Sequence, residues 1–329
     1  MEAESPTVEI TRSKSRTPAI SVVAPCHNEE NNLDELERRV SGICRRLVSE
    51  SYEIVLVNDG SRDNTWEVIS RLAATKPNVV GVNLSRNYGH QLALTAGLRA
   101  ARGDRILIID ADLQDPPELL PQMMDKMDRG VDVVYGLRNK RLGDSAVRAK
   151  SSDLFYRLLN LLTDVYIPVD TGDFRCISRR VLDEFLRMPE HHRFIRGMIS
   201  WIGFRQEPII YDRQPRQAGE TSYTLSRLIC FAVDAITGFS VRPLKVAIFV
   251  GSGLAMLSLF FLGYCIVLWL GGRIPVAGWL SIVTVQVLSS AVMMLYLGLL
   301  GEYVGRILQE VKNRPLYIVE SMVSSSQQW

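Results

Sequence analysis

Along the first half of the chain, short apolar runs alternate with segments whose apolar residues recur every three or four positions. The runs at residues 20–24, 53–57, 79–83, 105–109 and 131–135 are rich in Val, Ile and Leu and bounded by turn residues, which predicts five strands. The first stops at Pro25, which has no amide hydrogen to give a sheet. Helical periodicity follows it to about residue 48 and returns at 65–74, 91–101 and 118–127. Strands and helices in strict alternation predict an α/β domain: a mainly parallel sheet with helices on both faces.

The pattern changes beyond residue 222. Residues 225–244 mix apolar positions with Arg227, Asp234 and Arg242, as helices lying on a membrane surface do. Residues 246–270 and 274–301 contain no charged side chain, and each exceeds the roughly 20 residues that cross a bilayer. Two such segments joined by a short Gly/Pro loop predict a membrane hairpin. Arg227, Arg242 and Lys245 precede it, Arg306, Lys312 and Arg314 follow it, and the loop holds only Arg273, so both ends are expected on the cytoplasmic side. The predicted organisation is a flexible tail (1–17) without the apolar core of a signal peptide, a catalytic domain (18–222), interfacial helices (223–245), two transmembrane helices (246–270 and 276–301) and a cytosolic C-terminal tail (302–329). Small residues in GLLGEYVG suit packing of spans in a homo-oligomer.

Composition narrows this little further. With 47% hydrophobic residues and a net charge of +2, the chain is neither disordered nor a general nucleic-acid binder, and no nucleic-acid partner is expected. Its five cysteines form no C-x-x-C pair and no zinc spacing, and read as reduced structural thiols. His191 and His192 are adjacent, cannot share a helix face, and read as loop residues.

Candidate chemistry begins at ILIIDADLQDPPE, residues 106–118. A run suited to the middle of a sheet ends in Asp110, Asp112 and Asp115 and leaves the sheet at Pro116 and Pro117. That crowds carboxylates at the carboxyl end of a strand, where open α/β sheets place ligands. Like charges so close call for a cation or a solvated turn, while Asp115 is also suited to cap the next helix. Residues 25–29 and 58–63 bring polar clusters to the same edge. No G-x-G-x-x-G follows a predicted strand and no P-loop is present, so phosphates can meet this acidic edge only through a divalent cation.

The stretches VVAPCHNEE, VNDGSRDNT, LSRNYGHQLALTAGL and DADLQDPPE resemble the GT-A glycosyltransferases of family 2. Within them the chain is similar to the branch of dolichyl-phosphate mannose synthases and bacterial polyprenyl-phosphate glycosyltransferases. The resemblance covers residues 20–222, and the two spans resemble the C-terminal hairpin of bacterial members. It implies a GT-A (Rossmann-like) domain in the cell inner membrane that uses Mg²⁺ or Mn²⁺. The implied reaction is inverting transfer of one sugar, read as glucose, from a UDP-sugar to polyprenyl (undecaprenyl-type) phosphate at the cytosolic face. Mannose from a GDP donor and aminoarabinose stay open, as do a processive polysaccharide synthase and a non-catalytic nucleotide-binding scaffold. Against the synthase, the chain lacks a Q-x-x-R-W segment and offers only two predicted spans.

Carried onto this sequence, the resemblance assigns Asp110 to the nucleotide and metal, and Asp112 and Gln114 to the metal. Asp115 supports them or caps a helix. Pro25, His27, Glu29 and Asp59 would form the nucleotide pocket, with His27 where tyrosine is common. The basic stretch LRNKRLGDSAVRAKSSDLFYRLLN supplies Arg138, Arg148 and Ser152 for the acceptor phosphate, and RQAGETSYTLSRL supplies Arg216 and Ser222, with Tyr223 where lysine is common. VDTGDFRCISR resembles the acceptor-side loop, where Asp170 or Asp173 would orient or deprotonate the acceptor. A structural ion pair of Asp173 with Arg175 or Arg179 stays open.

Overall fold

The computed structural model describes residues 17–138, 171–212, 242–271 and 279–325. Its first elements follow the predicted alternation: β1 (Ile20–Cys26), α1 (Leu33–Val48), β2 (Tyr52–Asn58), α2 (Thr65–Thr75), β3 (Val79–Leu84), α3 (His90–Ala100) and β4 (Arg105–Ile108). A 3₁₀ turn at Pro117–Leu119 leads into α4 (Leu120–Asp128), and β5 (Val133–Arg138) follows. The strand β1 runs past Pro25 to Cys26, whose carbonyl accepts the Asp59 amide at 2.9 Å.

Among the described residues one eight-stranded sheet organises the domain, in the order β7-β5-β6-β4-β1-β2-β3-β8. The strands β4, β1, β2 and β3 run parallel, so their carboxyl ends share one edge, with Cys26 opposite Asn58 and Asn58 opposite Asn83. Both faces are covered. Ile20, Val22, Ala24, Ile54 and Leu56 pack with α1, α2 and α4, while Val23, Val55 and Val57 pack with α3 on the other face. This two-residue alternation, apolar on both sides, is why these strands read as continuous hydrophobic runs. The fold is mixed α/β with a mostly parallel sheet.

Four further elements of the domain lie outside the predicted set: β6 (Thr171–Ser178), α5 (Arg179–Arg187), α6 (Ile195–Ile202) and β7 (Gln206–Tyr211). The segment resembling an acceptor-side loop is therefore largely strand β6, antiparallel between β4 and β5. Buried Asp173 and Arg175 interrupt its apolar character and hid it from a reading of periodicity.

Two long helices follow, α7 (Arg242–Leu270) and α8 (Trp279–Lys312). Among the described residues, the segment Val285–Lys312 is long and apolar enough to cross a membrane, with a mean hydropathy of 1.6 and none of its apolar window buried. At 1.5 Å per residue the 34 residues of α8 extend about 50 Å, well beyond a hydrocarbon core of about 30 Å.

The C-terminal segment differs from its expected form. Rather than a tail, residues 319–324 form strand β8 (Val319–Ser324), which pairs antiparallel with β3 and completes the edge of the sheet. The domain thus does not end at residue 222: its last strand comes from beyond α8.

Candidate functional site

The site forms where β1, β2, β3 and β4 end together. Residue Gly60, in the turn after β2, has φ of +58°, and a Cβ there would lie 2.4 Å from the Asn87 amide nitrogen. Only glycine admits both the backbone twist and this approach of residues 86 and 87. The Asp59 carboxylate, 3% exposed, fixes the same junction by accepting the amides of Tyr88 (2.7 Å) and Gly89 (3.0 Å). Beside it opens a cleft of about 420 Å³ lined by His27, Asn28, Gly60, Arg62, Arg86 and Asn87. A second hollow of about 170 Å³, sharing His27 and Asn87, is lined by Pro25, Cys26, Asp59, Gly89 and His90.

The imidazole of His27 lies at the meeting of the two hollows, with Nδ1 3.0 Å from the Asp59 carbonyl oxygen. If Nδ1 carries the hydrogen, Nε2 accepts from the Asn87 amide at 3.4 Å. Glu29 stands at the entry to α1, where its carboxylate accepts from Asn32 at 2.6 Å and its backbone amide donates to Thr65 Oγ1. Pro25 lies within β1, opposite Val57.

At the end of β4 the chain does not continue as an extended D-x-D. It turns after Asp110, and Leu113 takes φ of +59°, a conformation L residues rarely adopt. That turn brings the Gln114 amide within 3.1 Å of Asp112 Oδ1. Asp115, fully buried, accepts a 2.5 Å hydrogen bond from Tyr211 of β7 rather than capping a helix. Among the described residues Asp110 Oδ1 is buried without a hydrogen-bond partner, and His90 Nε2 lies 3.6 Å from it. Burial pushes its carboxyl up, His90 opposes this, and the charges of Asp173, Asp115 and Asp112 reinforce it, leaving Asp110 at about 6.

Asp173 closes the site from β6. It pairs with Arg196 of α6, Nε to Oδ1 at 2.7 Å, and its Oδ2 meets His90 Nε2 at 3.2 Å and Gln91 Nε2 at 3.1 Å. Burial opposes its charge, but Arg196 and His90 hold the carboxyl well below the usual range. A carboxylate stabilised this way is a poor proton acceptor and a good strut. Neither Arg175 nor Arg179 forms an ion pair with its carboxylate: the Arg175 guanidinium donates to the backbone carbonyls of Gly172 and Asp173, and that of Arg179 to carbonyls at 101 and 103. Burial works against a charged His90, yet its bond to Asp173 and the charges of Asp110 and Asp173 raise it to about 9.

Thus Pro25, His27, Asp59, Asp110, Asp112 and Gln114 share one sheet edge, with Glu29 at the adjoining helix entry. The Arg138 side chain, together with Arg148, Ser152, Asp170, Arg216 and Ser222, lies outside the described residues. His90, Gln91 and Arg196 were not singled out beforehand. The first two sit inside LSRNYGHQLALTAGL, where adjacency to an apolar helix was the only signal, and Arg196 belongs to no motif.

The donor set suits a hard divalent cation. Among the described residues no three His, Cys, Asp or Glu side chains form a ligand group; the candidates at this edge are Asp110, Asp112 and the Gln114 amide oxygen. Mg²⁺-type ions are commonly held by one or two carboxylates plus substrate phosphates, and the unpartnered oxygen of Asp110 fits that demand.

Residues 21–186 match the family described as Glycosyl transferase family 2. The chain is 43% identical over 309 residues to the uncharacterized glycosyltransferase YkcC of Bacillus subtilis, covering 93% of this chain and 94% of that protein. It is 37% identical over 301 residues to the bactoprenol glucosyl transferase of Shigella phage SfII, covering 92% and 97%. Among solved structures, a glucosyl-3-phosphoglycerate synthase from Mycobacterium tuberculosis, in complex with Mn²⁺, UDP and glucosyl-3-phosphoglycerate, is similar with a TM-score of 0.44. There the identity is 21%, over 67% of this chain and 78% of that one.

Proposed function

Because the chain belongs to glycosyl transferase family 2, we propose that it transfers one glucosyl unit from UDP-glucose to a polyprenyl phosphate at the cytosolic membrane face. The observation that carries this reading is the likeness to a bactoprenol glucosyl transferase along nearly the whole chain. The nucleotide would occupy the clefts between His27, Gly60 and Asn87, the second of which is lined by His90, 3.6 Å from Asp110. Asp110, Asp112 and Gln114 would hold Mg²⁺ or Mn²⁺, which neutralises the diphosphate as negative charge develops on it. An acceptor phosphate oxygen attacks the anomeric carbon as the bond from that carbon to the UDP oxygen breaks, inverting the centre. The acceptor is already an anion at neutral pH, so no strong base is needed. Asp173, held ionised by Arg196 and His90, orients rather than deprotonates.

Arg138, Arg148, Ser152, Arg216 and Ser222 are proposed to grip the acceptor phosphate, since an anion must be brought up to an anionic donor. Helix α7 is proposed as a second span antiparallel to α8, with both termini cytoplasmic and oligomers formed through the spans. Membranes incubated with polyprenyl phosphate and a panel of radiolabelled nucleotide sugars, then extracted for lipid, test the reaction. Label entering lipid from UDP-glucose is expected. Labelling from GDP-mannose alone would move the donor, and no lipid label from any sugar would overturn the reading.

A further inference from the structure

The register of β8 contains an irregularity beside the site. Asn83 of β3 pairs with Ser321, but Leu84 pairs with Val319, so Glu320 is the extra residue of a β-bulge. Its side chain reaches back across the edge, and Oε2 accepts from Asn83 Nδ2 at 2.9 Å. Asn83 Oδ1 in turn accepts from Asn58 Nδ2 at 2.7 Å, and Asn58 Oδ1 accepts the Ser61 amide at 3.2 Å. Both asparagines are buried, 8% and 4% exposed, at facing positions on β3 and β2. The relay ends in the turn of residues 58–61, which carries Asp59 and Gly60 and so anchors residues 86–89 of the cleft.

We propose that Glu320 is a positioning residue for the donor cleft, acting through the orientation of the Asn83 and Asn58 amides. A carboxylate only accepts, whereas an amide can present either end. Glu320 therefore forces Asn83 to turn its NH₂ outward and its oxygen inward. That oxygen takes the Asn58 NH₂, leaving the Asn58 oxygen for the Ser61 amide. One acceptor at the sheet edge sets the polarity of the whole chain. The bulge supplies the reach, and the strand carrying it leaves the membrane-spanning helix only seven residues earlier, at Lys312. The inference rests on the cleft being the UDP-sugar site, but its structural half does not.

The test compares Glu320→Gln, Glu320→Ala and Glu320→Lys in the full chain in detergent. The readouts are the KM for UDP-glucose, kcat, and hydrogen exchange of the amides at 61, 88 and 89. Gln still offers an acceptor and is expected to stay within about twofold of wild type. Ala removes the acceptor and should raise the donor KM about tenfold with kcat little changed, together with faster exchange at 61, 88 and 89. Lys is a donor and would reverse both amides, setting the Asn58 NH₂ against the Ser61 amide. It should be the worst of the three, although simple attraction between a cation and an anionic donor predicts the opposite order. Faster exchange in Ala and Lys but not Gln supports the relay even if UDP proves not to bind, an outcome that would remove the donor reading alone. Unchanged exchange at 61, 88 and 89 in folded Ala and Lys variants would overturn the inference.

Discussion

Asp110, His90 and Asp173 form a line of alternating charge across the sheet edge, and each holds its neighbour's protonation state. Raising His90 from 6.5 to about 9 on folding means that protonation favours the fold. This contribution is complete below pH 6.5 and vanishes as pH climbs through 9. Asp173 acts in the opposite sense, its contribution complete above its ordinary value of 3.8 and lost only on acidification. Metal-free protein is therefore expected to lose stability between pH 6.5 and 9, and His90→Gln to lose less over that interval, as thermal midpoints in detergent would record. Asp112→Asn should lower transfer by about a hundredfold while leaving the circular dichroism spectrum unchanged, since it removes charge that would hold the cation and not a packing group. Gly60→Ala forces a Cβ against the Asn87 backbone and should weaken UDP binding by at least about tenfold in calorimetry, the scale of about 1–3 kcal/mol of backbone strain. The acidic half of this site was legible because Asp110, Asp112 and Gln114 follow an apolar strand directly. Its cationic half was not, because His90 and Arg196 come from helix starts 105 positions apart in the chain and meet only through Asp173.

At the scale of elements, β1 to β4 were readable because burial on both faces gives each a Val-, Ile- or Leu-rich stretch, as at residues 22–24, 54–57, 79–82 and 106–108. The strands β6 and β8 were not. The first carries Asp173 and Arg175 into the interior, and the second is an edge strand of mixed sequence, only partly buried. Yet β8 covers β3: a Cβ on Gly81 would lie 2.7 Å from the Val323 side chain and 2.6 Å from that of Ile69. This strand and helix α2 are thus packed to contact over β3. A chain ending at Asn313 would retain α8 but expose the unpaired edge of β3, an open template for pairing with other chains. It is expected to melt several degrees lower and to form aggregates on size-exclusion chromatography, while full-length protein in the same detergent does not.

At the scale of the whole molecule, the α/β domain and the long helices are connected at both ends of the helical pair, because the chain returns from α8 to the sheet as β8. The C-terminal end of α8 is gripped by the loop before α6. His191 sets its ring nitrogens 2.7 Å from Glu310 Oε2 and 2.8 Å from the Arg314 carbonyl, and His192 meets Gln309 at 2.6 Å. Those contacts hold the His191 imidazole above its usual value, because both nitrogens face acceptors. Loss of this grip through His191→Ala should speed proteolysis between α8 and β8 without changing membrane insertion, read by fragment size on gels. The return of β8 also has a consequence for biosynthesis. β3 is complete by residue 84, but its partner begins only at residue 319. At roughly 5–20 residues per second, a ribosome needs on the order of ten to fifty seconds to bridge that gap. Throughout that interval the nascent chain carries an open sheet edge while the two long apolar helices α7 and α8 are being made. Both apolar helices are therefore complete before the sheet is, and a chain stalled before residue 319 would lack the strand that finishes it.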